Sequence, residues 1–86
     1  MKIQVDIPEY SPERGVPIRW QADCVVRVSL SHGAMLIQAN GPGLVSLGHH
    51  LLTLAQSEVP AGSHIHYDDF MGDLEEGSCE LIIEKT

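Results

Sequence analysis

No fixed charge occurs in the centre of the chain, and this feature constrains the fold most. Asp, Glu, Lys and Arg are all absent between Arg27 and Glu58. Other parts of the chain can therefore cover this stretch without desolvating a fixed charge. A chain of 86 residues forms one domain, because domains usually contain about 100 to 150 residues. We predict a single domain over residues 1–86, with the uncharged stretch at the middle of the fold.

The net charge is confined to the end of the chain. Twelve Asp and Glu residues outnumber five Lys and Arg residues, which gives a formal net charge of −7. Residues 1–57 are balanced, so the whole excess lies in residues 58–86. Because negative charge repels phosphate backbones and anionic lipid surfaces, we expect no nucleic-acid or membrane partner.

Alternation of apolar and polar residues with a period of two predicts β-strands in several segments. These segments are residues 2–7, 20–30, 64–69 and 78–85, and a turn after residue 30 predicts a further strand over residues 34–39. Ser31, His32 and Gly33 suit a hairpin turn between the second strand and the third.

The apolar period changes to 3.6 residues after Asn40, which predicts one amphipathic helix. Asn40 suits the N-cap, Pro42 suits the first turn, and residues 59–62 end the helix. One half of the helical wheel is apolar and contains Leu44, Leu47, Leu51, Leu52, Leu54 and Ala55. The other half is polar and contains Ser46, His49, His50, Thr53, Gln56 and Ser57. We expect the leucine half to pack on the sheet and the two histidines to be exposed.

The order of elements is therefore βββαββ, which predicts the α+β class. We expect a mostly antiparallel β-sheet of about five strands, with one amphipathic helix packed on one face. One helix covers only part of a sheet face. Val25, Ile65 and Ile82 fall at positions that can point to the other face, where a homodimer or another partner would cover them.

The two cysteines are predicted to be free thiols in a reducing compartment. Cys24 and Cys79 each fall at an apolar position of a predicted strand, which favours buried free thiols over a disulfide. Residues 1–6 lack the apolar core of a secretory signal. We therefore predict a cytoplasmic protein.

One strand carries a candidate metal-ligand set. The alternation puts His64, His66 and Asp68 on the same strand face, and imidazole with carboxylate suits zinc or iron. The alternative interpretation is two histidines on the solvent side of a strand. No nucleophile lies in a recognisable catalytic motif, so we predict no enzymatic activity and no cofactor.

Two aromatic residues lie among the carboxylates of the last third of the chain. The group contains Tyr67, Asp68, Asp69, Phe70, Asp73, Glu75 and Glu76. Exposed aromatic residues beside like charges are typical of a binding surface for a basic partner. The alternative is that the carboxylates only keep a small β-rich protein soluble and prevent aggregation through strand edges.

Several segments resemble a known family. Residues 57–69 read SEVPAGSHIHYDD, residues 74–78 read LEEGS, and residues 80–85 read ELIIEK. They are preceded by NGPGL at residues 40–44 and by HLLTLA at residues 50–55. Over about residues 38–85 the chain resembles a family of small immunity proteins from bacterial polymorphic toxin systems. This resemblance implies a non-enzymatic inhibitor that binds a cognate toxin in the cytoplasm of the producing cell, and it implies no catalytic residues.

The resemblance and the charge lead to one mechanism. A nuclease toxin has a positively charged cleft for phosphate, and an acidic surface can occupy such a cleft by imitating the charge of the substrate. We therefore predict an immunity protein whose acidic surface binds its toxin. Two alternatives stay open: a small metal-binding protein or enzyme that uses His64, His66 and Asp68, and a homo-oligomeric structural module.

Overall fold

Two small antiparallel sheets and one helix make up the fold. The computed structural model describes residues 1–70 and 72–86. Within these residues the elements are β1 (Val26–Ser31), β2 (Ala34–Ala39), α1 (Gly41–Leu54), β3 (His64–Tyr67) and β4 (Leu81–Glu84). Strand β1 pairs with β2, and β3 pairs with β4. The α+β class and the antiparallel pairing are confirmed, but the prediction of one sheet with about five strands is wrong.

The predicted first strand, residues 2–7, does not form a strand. Alternation alone does not make a strand, because a strand also needs a neighbour to complete its backbone ladder. This segment lies instead against α1, where the ring of His49 hydrogen-bonds the carbonyl oxygen of Asp6. Gln56 fixes the residues that follow this segment, since its Nε2 donates to the carbonyl oxygen of Pro8 over 2.8 Å.

The hairpin of β1 and β2 is closed by the predicted turn. His32 and Gly33 have φ angles of 50° and 79°, which is the left-handed backbone of a type I′ turn. The ladder runs from Ser31 opposite Ala34 to Val26 opposite Ala39. The hairpin prediction is confirmed, although its first strand begins at Val26 and not at residue 20.

The second edge of β1 is covered by the segment of residues 75–79, which follows β3. The N–H groups of Glu75 and Cys79 donate to the carbonyl oxygens of Val26 and Val28, each over 2.8 Å. Ser78 Oγ accepts the N–H of Val28 over 3.2 Å. The hydrophobic core lies beside this edge and consists of Val26, Val28, Leu54, Val59, Ile65, Tyr67 and Leu74.

Helix α1 begins as predicted. The side chain of Asn40 accepts the N–H of Gly43 over 2.8 Å, and a proline occupies the first turn. The predicted orientation of the helix, however, is wrong except at Leu47 and Leu54, which contact the core. Its buried residues are Gly43, Ser46, His50, Thr53 and Leu54. Leu44, Leu51 and Leu52 of the predicted inner half are 58 %, 48 % and 50 % exposed.

The polar half of α1 can be buried because its polar atoms are bonded. Ser46 Oγ donates to the carbonyl oxygen of Pro42 and accepts the N–H of Gln21, each over 2.9 Å. Thr53 donates to the helix backbone at His49 over 2.8 Å. Within residues 1–70 and 72–86, no buried side-chain nitrogen or oxygen lacks a hydrogen-bond partner. Burial of these groups therefore avoids the cost of an unsatisfied polar atom.

The uncharged stretch is not the middle of the fold. Val28 and Leu54 of this stretch belong to the core, but five of the six residues of β2 are exposed, and Leu44, Leu51 and Leu52 of α1 face outward. Cys79 and the side chain of Ile65 also differ from prediction, since Cys79 is exposed and Ile65 is in the core. Both cysteines are free thiols. Among the described residues, no helix has the length and apolarity that crossing a membrane requires.

Candidate functional site

An acidic loop follows β3, and its last residues, 75 and 76, belong to the segment that covers β1. We use this name for residues 68–70 and 72–76. The N–H of Leu74 donates to the carbonyl oxygen of Asp68 over 3.2 Å, and the side chain of Leu74 is buried in the core. Asp69 Oδ2 accepts the N–H of Gly77 over 2.9 Å. Together with the bond from Glu75 to β1, these contacts attach the described residues of the loop to the core and to β1.

Most of the predicted contact residues lie on the surface of this loop. Asp69, Glu75 and Glu76 are exposed, and Asp68 and Asp73 are half-buried. The side chain of Phe70 is 89 % exposed, which is unusual for a phenylalanine. The loop therefore carries one exposed aromatic ring and several exposed carboxylates.

Tyr67 is not part of this surface. Its side chain is only 1 % exposed, and its hydroxyl oxygen lies 2.9 Å from Nδ1 of His50. The other ring nitrogen of His50, Nε2, lies 2.6 Å from the carbonyl oxygen of Arg19. Trp20 packs edge-on against both rings, with centroid distances of 4.6 Å to His50 and 5.7 Å to Tyr67. The prediction of Tyr67 as an exposed contact residue does not fit this position.

The hydrogen bonds of this cluster define its protonation. A carbonyl oxygen can only accept, so Nε2 of His50 carries the proton and Nδ1 accepts the O–H of Tyr67. Burial lowers the pKa of His50, and the hydrogen bond to Arg19 opposes this effect in part. Burial also raises the pKa of Tyr67 to about 12, with a smaller contribution from the charge of Asp73. The cluster is therefore uncharged at neutral pH and links α1, β3 and the N-terminal part of the chain.

The predicted metal-ligand set is not assembled. His64 and His66 are exposed on β3, and Nε2 of His66 lies 3.5 Å from Oε2 of Glu80. In the part of the chain that the structure describes, no three His, Cys, Asp or Glu side chains are grouped to hold a metal ion. The outward direction of the two histidines agrees with the interpretation that they lie on the solvent side of a strand.

Two apolar surfaces were missed by the sequence analysis. The first is the outer side of β2, where Met35, Leu36 and Ile37 are exposed. The second is a groove of about 470 Å³ between residues 1–5 and the exposed face of α1, which includes Leu44, Leu51 and Leu52. Both lie largely in the stretch without fixed charges. That composition was a signal for them, because an uncharged segment can face a partner as well as a core.

Comparison with protein families places this chain among the immunity proteins. The model of one family matches residues 34–86, which is more than half of the chain and contains α1, the acidic loop and three of the four described strands. That family is Immunity protein 32, and the chain belongs to it. The membership confirms the resemblance noted in the sequence and supports an immunity function. Comparisons with curated proteins and with solved structures each found no match.

Proposed function

We propose that this chain neutralises a cognate toxin by binding it through the acidic loop, without catalysing a reaction. The observation that carries the proposal is the loop itself, which carries an 89 % exposed Phe70 and the exposed residues Asp69, Glu75 and Glu76. A nuclease is the toxin that this surface fits best. Its cleft is positively charged for phosphate, and a row of carboxylates can occupy the cleft in place of the substrate.

The anchoring of the loop favours tight binding. Ordering a mobile loop on binding costs free energy, and a loop that is already held avoids much of that cost. Leu74 fixes the loop to the core, and Glu75 fixes it to β1 through its backbone. The side chain of Glu75 stays exposed and is therefore available to a partner.

The aromatic ring and the carboxylates have different roles in this proposal. Phe70 would enter an apolar pocket of the toxin and supply most of the binding free energy, as buried aromatic anchors do. The carboxylates would steer the encounter, so that association is fast at low salt and slower at high salt.

The test is the affinity for the toxin that a pull-down of the tagged chain from its source cells retains. The Phe70→Ala variant is expected to bind about 30-fold more weakly, which corresponds to the roughly 2 kcal/mol of a hot-spot residue. The Glu75→Gln/Glu76→Gln variant is expected to associate more slowly and to lose much of the salt dependence. Asp69→Asn is a third variant, because its amide oxygen can still accept the N–H of Gly77.

The matched control is Glu58→Gln/Glu84→Gln, which removes the same charge from two exposed residues outside the loop. The control should bind as the original chain does. Equal weakening by the control would mean that only net charge matters, and unchanged affinity in Phe70→Ala would move the contact away from the loop. Neutralisation of the toxin should also require one chain per toxin molecule, whereas neutralisation by much less would indicate an enzyme.

A further inference from the structure

The outer edge of β2 is open. In β1, Val26 and Val28 direct their backbone groups to the segment of residues 75–79 and not to β2. Their partners across the ladder, Ala39 and Ile37, must therefore direct their own N–H and C=O groups away from β1. Among the described residues, no hydrogen bond reaches this edge.

The edge lacks the features that keep exposed strands apart. Natural edge strands carry Lys, Pro, bulges or covering segments that prevent pairing with another chain. Strand β2 contains no charged residue, no proline and a regular register, and Met35, Leu36 and Ile37 are exposed on it. By contrast, the outer edge of β1 is covered by residues 75–79. Because β2 has none of these protections, its outer edge is suited to pairing with another strand.

We infer that β2 pairs antiparallel with β2 of a second copy of this chain. In the register that puts Met35 opposite Ile37 of the other copy, each such pair exchanges two backbone hydrogen bonds. The two hairpins then form one four-stranded sheet. The exposed apolar side chains of Met35 and Ile37 also become cross-strand neighbours, which stabilises the pairing further.

The charge distribution favours a second copy as the occupant. Two chains of charge −7 repel each other, and all of the excess charge lies in residues 58–86. Strand β2 lies in the stretch without fixed charges, while the acidic loop is attached to the opposite edge of the hairpin. Contact through β2 therefore keeps the two negative surfaces apart. A basic partner, in contrast, would find no countercharge on β2.

The test is the oligomeric state of the full chain, measured by analytical ultracentrifugation over a range of protein and salt concentrations. A single strand pair is a small interface, so we expect a weak dimer with a micromolar Kd that becomes tighter as salt screens the repulsion. Met35→Lys should weaken dimerisation at least about tenfold, because it replaces the apolar cross-strand neighbour of Ile37 by a charged side chain. Met35→Pro should do the same by removing the outward N–H.

The matched control is Leu52→Lys, because Leu52 in α1 is 50 % exposed and Met35 is 51 % exposed. This control should dimerise nearly as the original chain does. A chain that stays monomeric at about 1 mM in high salt would overturn the inference. The inference would also be overturned if Leu52→Lys abolished the dimer and both Met35 variants kept it. That result would place the interface on the groove beside α1. Urea unfolding of each variant shows whether it still folds. Met35→Lys changes the side chain at the interface, whereas Met35→Pro removes a backbone hydrogen-bond donor, so the two variants test the pairing in different ways.

Discussion

Replacement of Tyr67 by Phe should destabilise the fold by about 2 kcal/mol. The change removes only the hydroxyl group, and the ring keeps its edge-on contact with Trp20. Nδ1 of His50 would then be a buried acceptor without a donor, which costs roughly 1–3 kcal/mol. The other tautomer offers no relief, because Nε2 must keep its proton for the carbonyl oxygen of Arg19.

Urea unfolding followed by tryptophan fluorescence is the suitable assay. Trp20 is the sole tryptophan of the chain and lies against both rings, so its emission reports the cluster directly. For a small protein the free energy of unfolding changes by about 1 kcal/mol per molar urea. The midpoint of Tyr67→Phe should therefore fall by about 2 M. Tyr10→Phe is the control, since Tyr10 is half-buried and none of the described hydrogen bonds uses its hydroxyl.

A double-mutant cycle with His50→Leu separates the hydrogen bond from other effects. In the His50→Leu background the hydroxyl of Tyr67 has lost its acceptor, so Tyr67→Phe should be nearly neutral there. The two changes should thus show a coupling of at least about 1 kcal/mol. Additive effects, or a cost of Tyr67→Phe below about 0.5 kcal/mol, would refute the hydrogen bond or its burial.

Two further predictions concern α1. Because burial lowers the pKa of His50, the unfolded chain binds a proton below pH 6.5 that the folded chain does not. Stability should thus fall as the pH drops from 6.5 towards the folded pKa, by up to about 1.4 kcal/mol per pH unit. Urea unfolding between pH 7.5 and 5 tests this, and a slope unchanged by His50→Leu would contradict it. Gly43→Ala should destabilise by roughly 1–3 kcal/mol, because its Cβ would lie 2.6 Å from the carbonyl oxygen of Val25. Gly48→Ala meets nothing within 4 Å and should stabilise by about 0.5–1 kcal/mol, so equal effects of the two in thermal unfolding would argue against the close packing.

Local signals in the sequence were sufficient for the elements that depend on neighbouring residues. Asn40 and the proline after it start α1 as expected, and His32 with Gly33 closes the hairpin. The face of α1 that is buried depends instead on distant backbone groups. The carbonyl oxygen of Arg19 and the N–H of Gln21 accept and donate the bonds that make the polar half suitable for burial. A helical wheel does not contain those groups, so it favoured the leucines.

The position of Tyr67, by contrast, could have been inferred. The alternation that directs His64 and His66 outward directs Ile65 and Tyr67 inward, and β3 follows this pattern. The composition of the segment, with carboxylates directly after the strand, favoured a surface tyrosine. Where strand periodicity and composition disagree, the periodicity decides because it is imposed by the pleat of the backbone.

The two proposed contacts lie on opposite edges of one hairpin, which makes them compatible and separable. The acidic loop is attached to the outer edge of β1, and the open edge belongs to β2. A second copy on β2 would therefore leave both acidic loops free, and a dimer could bind two toxin molecules. Salt distinguishes the contacts, because screening weakens the attraction of a basic toxin and relieves the repulsion between two chains of charge −7. Binding of toxin that weakens with salt while dimerisation strengthens would show that the chain uses the two edges independently.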